Sequence, residues 1–332
     1  MLTERIEKLR QQSLETVPAI SHERALLLTE FYQSDTAKGL SVPVQRAMAF
    51  KYILENKHIC INEGELIVGE RGPAPKAVPT YPEVCLHSLE DLEILHQREK
   101  VSFKSDEETR KVYKEKIIPY WQGRTQRDRI FAAMDPEWID AYEAGVFTEF
   151  QEQRAPGHTV LGDKIYRKGF LDLIAEIDES DEFRVMSSEL GTRNQKSEQL
   201  KAMKIAAEAM IAFAERHADA LVQSSKFKVQ SLVDKVRSEE LMELAGICRR
   251  VPKHAPRTFH EALQYYWFVH LGVITELNPW DSFNPGRLDQ HLYPFYARET
   301  AAGTLTKERA KELLQSFWIK FNNHPAPPKI GV

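Results

Sequence analysis

The side chains best suited to chemistry sit in two short polar-aromatic stretches that interrupt helical patterns. In the first, QRAPGHTVLGD at 153–163, Pro156-Gly157 ends the preceding pattern and presents His158 on backbone freed by glycine. An imidazole on such a turn can reach into a cavity and exchange a proton near neutral pH. It can equally cap the helix that follows. Arg154 lies four residues earlier. In the second stretch, TELNPWDSFNPGRLDQ at 275–290, an apolar helix pattern stops at Asn278-Pro279. Trp280, Asp281, Ser282 and Phe283 then fill the connection before Pro285-Gly286. A carboxylate flanked by aromatics between two buried helices suits a pocket wall, with Asp281 facing a cationic substrate group. The alternative is a turn or N-cap aspartate. Arg287 and Asp289, two apart on the next helix, do not share a face, and either could anchor neighbouring loops. A third stretch, ERGPAPKAVPTYPEVCLH at 70–87, holds four prolines and is long for a connection. Its Tyr81-Pro82-Glu83 either lines a channel or crosses a surface, and the surface or scaffold reading is preferred.

Other chemistries fail by inspection. G-x-G-x-x-G, Walker A and G-x-S-x-G patterns are missing. His22-Glu23 and His260-Glu261 are followed at the second-histidine position by Leu26 and Gln264, so neither is a zincin helix. Glu93 to His96 is one E-x-x-H, whereas a di-iron bundle needs two and further glutamates. No metal site is expected. Cys60, Cys85 and Cys248 are too scattered for a disulfide framework and form no C-x-x-C pair. With 45 basic against 49 acidic residues the net charge is −4, which gives no general basic face for nucleic acid. The apolar runs fall short of the 18 or so residues of a spanning helix. The start, MLTERIEKLRQQSLE, has no apolar core of a secretory signal. A cytoplasmic protein with no nucleic-acid or membrane partner is expected.

The elements that must position these stretches are mainly helical. Apolar residues at spacings of three and four predict helices at 22–34 (Ser21 as N-cap), 43–57 (opened by Pro43), 88–98, 106–121, 124–134, 136–145, 163–178, 195–222, 228–249, 258–277, 286–302 and 306–322 (Thr306 as N-cap). Strand signals are confined to Glu65–Gly69 (ELIVG) and the final Lys329–Val332. The fold class expected is mainly α with few short strands.

Four segments carry a resemblance to a known family: RAPGHTVLGDKIYRKGFLD (154–172), ELIVGERGPAPKAVPTYPE (65–83), WDSFNPGRLDQHLYPFY (280–296) and WIKFNNHPAPPK (318–329). They resemble the N-terminal part of the glycyl radical enzymes, the pyruvate formate-lyase-like family. The nearest branch is that of the dehydratases and C–S or C–N lyases, and within it the trans-4-hydroxy-L-proline dehydratases. The resemblance runs over residues 1–332. It implies the N-terminal helical part of a pyruvate formate-lyase-type α/β barrel domain, with the barrel incomplete. Family members are more than twice this length and carry a Cys-x-Glu loop and a C-terminal glycyl loop; this sequence has neither, and the C-terminal glycyl radical domain is absent. The chain therefore reads as the N-terminal portion of a longer enzyme, inactive alone. Its helices 258–277 and 306–322 are expected to lack part of their partner surface.

The resemblance also implies site roles. His158 matches the family histidine that hydrogen-bonds the departing hydroxyl. Asp281 matches a substrate-contacting position that is typically histidine in diol dehydratases, and an aspartate there suits an ammonium or ring-NH2+ group. Trp280, Ser282 and Phe283 become neighbouring wall residues. Arg154 keeps a sulfonate C–S lyase as an alternative beside a glycerol or 1,2-diol dehydratase. An alternative of another class is a non-catalytic helical scaffold or binding module. The implied cofactor is a protein glycyl radical in the missing C-terminal part, with none bound by these residues. A radical-SAM activating enzyme would install it, in an anaerobic cytoplasm, on a homodimer acting on a small molecule.

Overall fold

The computed structural model describes residues 2–146, 162–187, 190–226, 232–277 and 285–326, with backbone alone at 181–187, 190–195 and 232–233. Among them the order is α1 (Glu4–Glu15), β1 (Ala19–Ser21), α2 (Glu23–Gln33), α3 (Val42–Asn56), β2 (Ala77–Pro79), α4 (Leu89–Gln97), α5 (Glu107–Val112), α6 (Ile118–Trp121), α7 (Gln126–Ala133) and α8 (Pro136–Glu143). It continues with α9 (Phe170–Ser187), α10 (Leu190–Ser225), α11 (Leu232–Arg250), α12 (Phe259–Glu276), α13 (Leu288–Ala301) and α14 (Lys307–Asn322). A π turn (Tyr113–Ile117) joins α5 to α6, and a 3₁₀ turn (Lys164–Tyr166) precedes α9. β1 and β2 pair in parallel, Ala19 opposite Ala77. No helix among the described residues is long and apolar enough to cross a membrane.

Local chemistry sets the helix starts. Ser88 and Thr125 each close a capping box with an aspartate three residues on, which satisfies two orphan amides at once. Asp106, Thr258 and Thr306 accept from the third residue of their helices. The expected cap at Ser21 is not realised. His22 takes that position without a side-chain capping bond, its ring bonding Thr109 instead, and Ser21 ends β1, its hydroxyl accepting only a long 3.4 Å bond from Glu23 N. The start of the expected 163–178 helix is only a 3₁₀ turn, and α9 begins at Phe170. Arg287 and Asp289, expected on different faces of one helix, pair with each other at 3.2 Å on the surface, because Arg287 sits before the first helical residue of α13.

The main core is built on α12. Fifteen of its residues are buried, the pattern of a helix enclosed on all sides. α10, α11, α13 and α14 surround it, with Leu66, Ile67 and Val68 inserted among them. α10 packs along α3 and α11. Its buried Ala209, Met210, Phe213, Ala214, Ala218 and Leu221 keep helical spacing. A second core joins α2, α3 and α4 to Tyr113, Ile117 and Trp121.

Three expectations are corrected here. Residues 65–69 do not form a strand; they run irregularly through the core. Phe259, Leu263, Tyr266 and Trp267 of α12 lack no partner surface, being at most 3% exposed, and Val273 is only partly buried. On α14 the expectation holds only at its edge, where Trp318 is half exposed while Leu313 and Phe317 are buried. The proline-rich 70–87 stretch is not a surface crossing: Glu70, Arg71, Val78, Thr80, Tyr81 and Val84 are all buried.

Candidate functional site

Arg154, His158, Trp280, Asp281, Ser282 and Phe283 all lie outside the described residues. The chain that follows each of their two stretches is described, and the two meet. Tyr166 lies eight residues after His158, and His291 ten after Asp281. Their ring centroids are 5.0 Å apart, and Phe295 packs on Tyr166 at 6.4 Å. Tyr166 Oη and His291 Nδ1 are both buried without a hydrogen-bond partner. Burial pushes the Tyr166 hydroxyl well above its ordinary range, so it stays a donor. Tyr265 Oη donates to Lys168 O at 2.9 Å and ties this corner to α12. Unsatisfied buried polar atoms on two neighbouring rings can serve polar groups of a small ligand.

The other approach to the second stretch is the last turn of α12. Helix ends leave carbonyls without intrahelical partners, and here distant side chains supply them. Tyr81 Oη donates to Ile274 O, and Arg24 Nε donates to Thr275 O at 2.5 Å. Arg24 Nη1 also donates to Thr80 O at 3.1 Å, and Glu83 accepts from Nη1 and Nη2 at 3.2 and 2.6 Å. The guanidinium lies 4.1 Å from the centre of the Tyr81 ring.

Beneath these lies a network of buried charges. Lys320 Nζ donates to Glu65 Oε2 at 2.9 Å and also to Glu70. His324 Nε2 donates to the other Glu70 oxygen at 2.8 Å. Asn62 bonds both glutamates. Burial opposes the charge on Glu70, but Lys320 and His324 outweigh it and hold the carboxyl down at about 2. Burial, with Glu70 nearby, raises Glu65 despite Lys320. Burial, with Arg71 and Arg216 adding to it against Glu23 and Glu70, lowers Lys57 to about 8 while its ammonium donates to Glu70 O and Arg71 O at 2.9 and 2.8 Å. Burial, reinforced by Glu65 and Glu70, pushes Cys60 up to about 11, and burial raises Cys248 further still. Both thiols are thus protonated at neutral pH and unsuited to nucleophilic work.

The network holds irregular backbone in place. Gln264 clamps Val68 through both its N–H and C=O, at 2.8 and 3.0 Å. His260 Nε2 donates to Leu66 O at 2.6 Å, and Trp267 Nε1 to Gly69 O at 2.9 Å. Arg71 Nη2 donates to Pro325 O at 2.5 Å. The sequence reading missed this centre. Its signal was present: Lys320 falls three residues after Phe317 and seven after Leu313, on the apolar face of its helix. Among the described residues no group of histidine, cysteine and carboxylate side chains could hold a metal ion. Glu93 and His96 serve Arg110 and the Ser105 amide.

The family model described as pyruvate formate lyase-like matches residues 2–332. The chain belongs to this family. It is 50% identical over 99% of its length to the trans-4-hydroxy-L-proline dehydratase of Clostridioides difficile, covering 41% of that protein. The solved structure of hydroxyproline dehydratase from the same organism, with trans-4-hydroxy-L-proline bound, superposes with a TM-score of 0.92 over 99% of this chain and 41% of that one, at 50% identity. The glycerol-bound B12-independent glycerol dehydratase of Clostridium butyricum gives 0.90 at 30% identity, over 99% and 40%. A glycyl radical enzyme of Archaeoglobus fulgidus gives 0.86 at 31% identity, over 97% and 40%. The pyruvate formate lyase-like chain described here therefore spans about two fifths of the length of these relatives.

Proposed function

We propose that residues 1–332 form the N-terminal part of a glycyl radical dehydratase that removes water from trans-4-hydroxy-L-proline. The observation that carries this reading is the convergence of the chain after His158 with the chain after Asp281, at Tyr166 and His291. The 50% identity to a hydroxyproline dehydratase supports the choice of substrate. His158 hydrogen-bonds the departing hydroxyl and gives it a proton. Asp281 pairs with the substrate's ring ammonium, where a charge-assisted bond in a dry pocket is strong. Trp280, Ser282 and Phe283 wall the pocket, and Arg154 borders it.

The glycyl radical, held in the part of the barrel beyond these residues and installed by a radical-SAM activating enzyme, supplies the hydrogen-atom abstraction. The residues of this chain bind, orient and protonate. The complete enzyme works as a homodimer in an anaerobic cytoplasm.

The test is an anaerobic assay of the complete enzyme with activating enzyme and S-adenosylmethionine. The substrates are hydroxyproline, glycerol and isethionate. Hydroxyproline is the preferred substrate, and Asp281→Asn weakens it by about tenfold or more while leaving any glycerol turnover nearly unchanged. Preference for glycerol or isethionate, or equal losses on all three, overturns the assignment. The 332-residue chain alone shows no glycyl radical by electron paramagnetic resonance.

A further inference from the structure

We infer that Arg24 and Tyr81 are positioning residues that fix the last turn of α12, the turn that precedes Trp280 and Asp281 in the sequence. The substrate-binding consequence rests on the function proposed above; the positioning itself does not. Ile274 O and Thr275 O receive their hydrogen bonds from side chains 193 and 251 residues away in the sequence. Two carbonyls held from two directions fix both the tilt and the rotation of that turn.

Arg24 is itself immobilised. Its three nitrogens reach Thr275 O, Thr80 O and both Glu83 oxygens, and its flat face rests on Tyr81. The Tyr81 ring that orients Arg24 thus belongs to the side chain that bonds the neighbouring carbonyl. Arg24 and Glu83 are both almost wholly withdrawn from water, with side chains 5% and 14% exposed. Stability alone does not account for such a pair, since apolar residues of similar volume usually do as well. The fork geometry of arginine accounts for it: lysine cannot serve the helix carbonyl and the bidentate carboxylate together.

The experiment compares Arg24→Lys and Tyr81→Phe with the parent chain by amide hydrogen exchange, using α10 as an internal control. Both variants speed exchange at residues 274–277, the last turn of α12, by about tenfold, while α10 keeps its protection. In the complete enzyme the same variants raise KM for hydroxyproline about tenfold with little change in kcat. If Arg24→Lys keeps parent-like protection at 274–277, charge compensation of Glu83 is the whole role and the inference falls. Acceleration spread equally over α10 also overturns it. If the parent enzyme does not turn over hydroxyproline at all, the substrate assignment fails, and the exchange data alone decide the positioning.

Discussion

α10 and the segment 65–71 lie against the same central helix, and they bury their backbones by opposite means. α10 satisfies its own amides and carbonyls, and contributes a small-residue stripe of Ala209, Ala214 and Ala218 beside Phe213 and Leu221. Its ion pairs, such as Lys204 with Asp178, are at the surface. The 65–71 segment makes no regular ladder. Side chains of α11, α12 and α14 satisfy it one group at a time, through Arg237, His260, Gln264, Trp267 and Ser316, and two of its own carboxylates need a buried lysine. A helix can lose one side chain and keep its backbone paired. A segment held laterally loses a backbone partner with each side chain removed, so its position is defined more sharply and broken more easily.

Acid should separate the two regions most strongly. His217, His260, His270 and His324 are held neutral chiefly by burial, at about 3, 4, 3 and 4, against an ordinary value of 6.5. Between those values the unfolded chain binds more protons than the folded one, so stability falls as pH drops below 6.5. Glu70, held at about 2, adds a loss that begins near its ordinary value of 4.5. His260 bonds the segment directly and His324 bonds Glu70, so two of these histidines act on the segment, whereas α10 contains one, His217. Hydrogen exchange as a function of pH should show 65–71 opening before the body of α10. Simultaneous opening would erase the distinction.

Replacing Lys320 with methionine comes next. It leaves Glu65 and Glu70 buried without their ammonium, a change that costs about 3–5 kcal/mol, read from urea unfolding. The matching change in α10, Lys204→Ala, removes an exposed pair and should leave the midpoint where it is. Gln264→Leu strips both Val68 backbone groups of their partner and should cost about 2–4 kcal/mol. The smallest effects come from glycine, and they differ in sign. Gly69 has φ +112, and a Cβ there would meet Leu271 Cδ1 at 2.6 Å, so Gly69→Ala destabilises by more than about 1 kcal/mol. Gly246 lies in α11 with open space around it, and Gly246→Ala stabilises by about 0.5–1 kcal/mol. Thermal midpoints check both. A stabilised Gly69→Ala would show that the segment is not tightly held.

Much of the molecule was legible in the sequence. Spacing and caps gave α3, α4, α7, α8 and α10 through α14 to within about five residues, because a helix is decided by neighbours three and four apart; the expected helix 106–121 is divided into α5 and α6 by the π turn. Thr306 was identifiable as a cap for the same reason. The four quoted segments carried the family. What sequence could not supply was the fate of irregular backbone. ELIVG has the composition of a strand, yet tertiary structure gave it helix side chains as partners in place of a neighbouring strand. The β1–β2 pair joins residues nearly sixty positions apart, with nothing local to announce it. Tyr81 and Glu83 looked like surface residues until Arg24 was placed against them. Local periodicity determined which segments are helices. Only packing decided which charges are buried and which carbonyls they hold, because desolvation depends on everything folded around a group and on nothing within its own few residues of chain.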